Sequence, residues 1–105
     1  MDQQTAQWIA MLEAEFDEPN GFIWKVRYGG DFTTEDGERL IRKLSEIRPP
    51  KDQPLERRLV SIVWFLPLLL MWQKERVAEG GGDSEQLQRV TERVTNLVIE
   101  ILGVP

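Results

Sequence analysis

Apolar residues in this chain recur at intervals of three and four. That spacing predicts an all-α fold: a single domain over residues 1–105, a bundle of four to five helices with a kink or break at Pro67. Two further observations point the same way. The periodic stretches are separated by Pro and Gly clusters at 19–21, 49–50 and 80–82. Only one segment, 22–28, alternates as a strand does, and a lone strand would leave both of its edges unpaired. The length of 105 residues suits one domain, and 41% hydrophobic with 30% charged residues is a globular composition rather than a disordered one.

Residues 3–16 place Trp8, Leu12 and Phe16 four apart with Ile9 alongside, which makes one apolar helix face. The helix runs into Glu13, Glu15, Asp17 and Glu18 and stops at Pro19-Asn20-Gly21. Acids at a helix C-terminus oppose the macrodipole. Such a cluster is either a solvated end or a surface kept for use. In 22–28, Phe22, Trp24, Val26 and Tyr28 alternate with Lys25 and Arg27 and suit a strand. A short helix capped by Asn20 and ended by Gly29-Gly30, with Phe32 folding back, fits as well and is preferred.

The next helix spans 34–47, with Thr33 or Thr34 as N-cap and Glu35 and Asp36 in its first turn. Leu40, Ile41, Leu44 and Ile47 form its buried stripe, Arg39, Arg42 and Lys43 its wet side, and Arg48-Pro49-Pro50 ends it. Gly37 costs about 1 kcal/mol relative to Ala within a helix, and nothing local explains it. A further helix is expected from Pro54, capped by Gln53 or Asp52. Leu55, Leu59, Ile62, Val63 and Leu66 keep the period, and the pattern then becomes apolar all round. Such a helix should be surrounded by other elements, with Trp64 and Trp72 in the core. Pro67 lacks a backbone donor and crowds the Val63 carbonyl, hence the expected kink or break. Gly80-Gly81-Gly82 reverses the chain without the Gly-x-x-x-x-Gly-Lys frame of a phosphate loop. Asp83 and Gln86 resemble a capping box, and Leu87, Val90, Val94, Leu97 and Ile101 form the seam of the last helix, read as a bundle face.

Cysteine and histidine are both absent. There is therefore no disulfide, thiol nucleophile, imidazole base or His- or thiolate-ligated metal. Carboxylate pairs such as Glu13/Asp17 and Glu35/Glu38 occur on any acidic helix, and Glu-x-x-His metal motifs cannot be built. The expectation is a protein that is not an enzyme, with no catalytic residue, cofactor or metal. The net charge is −5, with residues 1–20 at −5, 21–48 at +1, 49–78 at +2 and 79–105 at −3. A sequence pI near 4.8 is far from the basic footprint of a nucleic-acid binder. The longest apolar stretch, 59–72, is shorter than the roughly 20 residues that cross a bilayer, so no membrane partner is expected. No signal or lipidation pattern marks either end, and the expected home is the cytoplasm.

Four tryptophans remain to be placed. Trp24 and Tyr28, on a segment with Lys25 and Arg27, are the aromatics expected nearest the surface, where Trp, Tyr and Arg dominate interface hot spots, although packing in the core fits Trp24 at least as well. The stretch Gly21-Phe22-Ile23-Trp24-Lys25-Val26-Arg27-Tyr28-Gly29-Gly30-Asp31-Phe32, followed by a helix with Leu40, Ile41 and Leu44, resembles a pattern in small bacterial immunity proteins. These are the inhibitors encoded beside polymorphic and contact-dependent toxins, and the resemblance covers about residues 21–47. It implies binding and neutralisation of a cognate toxin domain by stoichiometric occlusion. Many such toxins are basic nucleases, which an acidic partner would meet faster and more selectively. The candidate partner-binding residues are Glu13, Glu15, Asp17, Glu18, Trp24, Tyr28 and Asp31. The alternative is a helical homodimeric adaptor or scaffold with no toxin partner, paired through the 87–101 seam or through 22–28.

Overall fold

Five helices form in the order that the periodicity predicts: α1 Gln3–Asp17, α2 Phe22–Arg27, α3 Thr34–Ser45, α4 Arg57–Glu79 and α5 Ser84–Leu102. The computed structural model describes residues 1–29 and 31–105, and no strand occurs among them. Helices α1, α3, α5 and α4 follow one another around a ring. Each touches its two neighbours, while the diagonal pairs α1/α5 and α3/α4 do not meet. The short α2 sits against α1, α3 and α4. The space between them is filled by Leu12, Phe22, Leu40, Val63, Leu70 and Val94, all fully buried. Each such side chain contributes about 1.5–3 kcal/mol by leaving water.

Local side-chain caps set the starts of three helices. Asp2 caps α1 by accepting from the Thr5 N–H at 2.7 Å. Thr33 and Asp36 form a reciprocal capping box at the start of α3, and the Asp83 carboxylate accepts from the Gln86 N–H at the start of α5. Segment 22–28 is a helix over Phe22–Arg27 with Tyr28 as its C-cap, and Gly29 follows with a left-handed φ of 75° that suits glycine. Gly30, expected in the same stop, lies outside the described residues. Phe32 folds back onto Phe22, with ring centroids 5.4 Å apart and edge-on. Gly37 now has its reason: a Cβ there would lie 2.8 Å from Val90 Cγ2, so the glycine lets α3 and α5 approach closely.

Several expectations need correction. Asn20 does not cap α2; Gly21 stands at that position and supplies no side chain. The fourth helix begins at Arg57 rather than Pro54, and neither Gln53 nor Asp52 caps it. Residues 54–56 stay non-helical, and Leu55 lines a hollow with Leu44, Ile47, Leu97 and Ile101 at the ends of α3 and α5. At Pro67 the chain does not break, and α4 runs through it from Arg57 to Glu79. Trp64 and Trp72 are not core residues but are exposed, with Met71. The reason is that α4 has neighbours on one side only. Leu59, Ile62, Val63, Leu66, Leu69 and Leu70 fill that side, and the helical period turns Trp64, Met71 and Trp72 away from it. The 87–101 seam is buried inside the fold, apart from the half-buried Leu97, and Val98 joins it. It therefore has no face left for a second copy, and 22–28 has no strand edge to pair.

Candidate functional site

A helix of six residues is too short to hold itself, since helix formation in water needs several turns before it is favourable. α2 is instead held by side chains from three other helices. At its N-terminus the Phe22 N–H donates to Glu15 Oε1 of α1 at 2.8 Å, which replaces the missing cap. Gly21 permits this approach, because a Cβ there would lie 2.4 Å from the Glu15 carbonyl oxygen. In its middle, Lys25 Nζ donates to Asp36 Oδ2 of α3 at 2.9 Å. At its C-terminus, Arg76 of α4 donates to the Val26 carbonyl at 2.6 Å and also to the Arg27 carbonyl.

Glu15 is the centre of this arrangement. Its side chain is 2% exposed and takes Arg39 Nε at 3.0 Å, Arg39 Nη2 at 3.2 Å and Lys43 Nζ at 2.5 Å. Burial disfavours the carboxylate, but hydrogen bonds from Arg39, Lys43 and the Phe22 N–H outweigh it and hold the Glu15 pKa below its usual value. Asp36 behaves alike. Burial opposes its charge, while the Thr33 N–H, Lys25 and Arg39 bring its pKa down to about 2. Arg39 joins the two carboxylates, and its own pKa is raised chiefly by Glu15, against burial, with help from Asp36. It also donates to the Asn20 carbonyl at 2.9 Å, tying the α1–α2 turn to α3. Among the described residues no buried side-chain polar atom lacks a partner.

What α2 presents to solvent is a pair of aromatic rings. Trp24 is half-buried and Tyr28 exposed, with ring centroids 4.5 Å apart and tilted by 48°. The Arg27 guanidinium lies 5.7 Å from the Tyr28 ring centroid. Beside them is an open hollow of about 450 Å³ whose rim includes Lys25, Tyr28, Asp31 and Arg76, with Gly80, Gly81 and Gly82 opposite.

The predicted binding residues divide accordingly. Asp17 and Glu18 are exposed at the end of α1, and Asp31 is exposed beside Tyr28. Glu13 is half-buried and paired with Arg58 of α4 at 2.8 Å. Glu15 is a correction: it is not on the acidic surface but inside, where it holds α2. Arg39 and Lys43, expected on the wet side of α3, are likewise turned inward to it, and only Arg42 of the three is exposed. A signal for this was present in the sequence. Glu15 lies four residues after Met11 and three after Leu12, on the apolar stripe, where an acid needs basic partners. Arg39 and Lys43, one turn apart on α3, are those partners. Arg76 as the anchor of α2 has no comparable sequence signal.

Among the described residues no cluster of three or more acids could hold a metal ion, and no helix is long and apolar enough to cross a membrane. A family model described as Tautomerase enzyme matches residues 76–105, which are the end of α4, the glycine turn and α5. This is under a third of the chain. No curated protein and no solved structure matches it.

Proposed function

We propose that this protein is a binding module of the immunity type, which neutralises a cognate toxin domain in the bacterial cytoplasm by stoichiometric occlusion, without catalysis. The observation that carries the reading is the preorganised display at α2: Trp24 and the C-capping Tyr28 in tilted contact, 4.5 Å between ring centroids, on a helix secured from α1, α3 and α4. A surface already rigid before contact loses little entropy on binding, and aromatic rings with an adjacent Arg are the usual anchors of tight interfaces. The exposed acids Asp17, Glu18 and Asp31 give this end of the molecule the charge to steer a basic partner. The test is co-expression with the product of the adjacent gene. The expected result is a one-to-one complex in which Tyr28→Ala weakens affinity at least about tenfold. Asp17→Lys with Glu18→Lys should slow association, with the unfolding midpoint unchanged. A neighbour with no toxin-like domain, or full affinity in these variants, overturns the proposal.

The match to Tautomerase enzyme favours a second reading. Keto–enol interconversion moves one proton between carbon and oxygen, and needs an acid and a base in reach of one substrate. Arg76, within the matched stretch, shares the open hollow with Tyr28, Asp31 and Lys25. Turnover of a 2-keto acid, followed by ultraviolet absorbance and lost on Tyr28→Phe or Asp31→Asn, would establish that reading. A rate equal to that of buffer removes it.

A further inference from the structure

The outward line of α4 carries a pattern that neither reading uses. Arg57, Ser61, Trp64, Leu68, Trp72, Glu75 and Glu79 follow one another at spacings of three and four on the side facing away from the core. Trp64 is 49%, Met71 59% and Trp72 62% exposed. Phe65 lies between the two indoles and meets both edge-on, at 6.2 Å and 5.8 Å, so the three rings make one continuous aromatic surface. The line is basic at its start and acidic at its end. The other arginines of the helix are drawn to its flank, Arg58 by Glu13 and Arg76 by the carbonyls of α2. Arg57, Glu75 and Glu79 form no ion pair among the described residues.

We propose that this face pairs with the same face of a second copy, the two α4 helices running antiparallel about a two-fold axis at Leu68. The sequence positions make the face complementary to itself. Trp64 and Trp72 lie equally far from Leu68 on either side, and so do Ser61 and Glu75, and Arg57 and Glu79. In the antiparallel pair, Trp64 therefore meets Trp72 of the second copy, and Arg57 meets Glu79 of the second copy at both ends. A parallel pair would set like charges together. The exposed parts of Trp64, Met71 and Trp72 amount to about 400 Å² at 150–250 Å² per large side chain. That is about half of what one partner contributes to an interface of ordinary size, near 800 Å². With Phe65, Leu68 and the charged ends added, the face suits a dimer that dissociates in the micromolar range. The pairing leaves the α2 surface open and does not depend on the immunity reading.

Sedimentation velocity of the full chain across a concentration series tests it. The expected result is a shift from monomer to dimer mass, with Trp64→Ser/Trp72→Ser weakening association about a hundredfold at unchanged helical circular dichroism. Arg57→Glu and Glu79→Arg should each weaken it about tenfold, and the double swap Arg57→Glu/Glu79→Arg should restore it. A chain that stays monomeric at every concentration overturns the proposal. So does association that the single reversals leave unchanged, or that the double swap fails to rescue.

Discussion

The end of α1 and the outward face of α4 treat charge and apolar surface in opposite ways. At the first, a carboxylate is taken out of water, and at the second two tryptophans are left in it. Glu15 is tolerable inside because its oxygens receive Arg39, Lys43 and the Phe22 N–H, so desolvation is offset by a complete set of donors. Trp64 and Trp72 are tolerable outside because an exposed aromatic forfeits burial without creating an unmet hydrogen bond. Removing a partner from the first region should therefore destabilise the fold strongly, while polar replacement in the second should leave the monomer intact.

The largest expected effect comes from Glu15→Ala, which leaves two cations facing each other and α2 without its cap. Urea unfolding should show a loss of about 3 kcal/mol; a loss below 1 kcal/mol would mean that the cluster is solvated and the contrast false. Acid comes next. The folded-state pKa of Asp36, about 2, lies below its ordinary value of 3.8. Its stabilisation is thus complete above the ordinary value and disappears as pH falls through that value towards 2. The amount is about 2 kcal/mol at 1.36 kcal/mol per unit. Glu15, also lowered, adds in the same direction. Unfolding midpoints measured between pH 5 and pH 2 (roughly the span over which such a carboxylate titrates) should fall more steeply for the wild type than for Asp36→Asn.

Gly37→Ala gives a smaller effect and probes the α3–α5 contact instead of the charges. The helix gains propensity, but the new methyl meets Val90 Cγ2 at 2.8 Å. A net loss of about 1 kcal/mol is expected by thermal unfolding, whereas stabilisation would show that Val90 yields freely. Smallest of all is Trp72→Gln. In dilute solution it should change stability by no more than about 0.5 kcal/mol, even as it weakens any association through α4.

How much of this was legible in the sequence differs by region. Helices α1, α3 and α5 are close to what the three-and-four spacing states, and the Thr33 and Asp83 caps are read from adjacent residues. The start of α4 is not, because Pro54 suits a helix start locally while Leu55 is claimed by the distant ends of α3 and α5. The continuous apolar run of α4 likewise implied neighbours on every side, although the ring supplies them on one. Of the candidate site, Tyr28 is exposed as the charges around it suggest, while Trp24, open to either reading, is half-buried beside it. Glu15 is not legible as a buried acid because Asp17 and Glu18 just after it are solvated, and residues so close in sequence can face opposite environments on a helix.

By itself the sequence determined the all-α class, the order of the helices and the exclusion of cysteine and histidine chemistry. These depend on local spacing and on which functional groups exist at all. Only the tertiary structure decided that Glu15 is inside, that Trp64 and Trp72 are outside, and that Arg76 completes α2 from fifty residues away. Burial and hydrogen bonding at those positions are properties of the space between helices, and that space exists only once the helices have met.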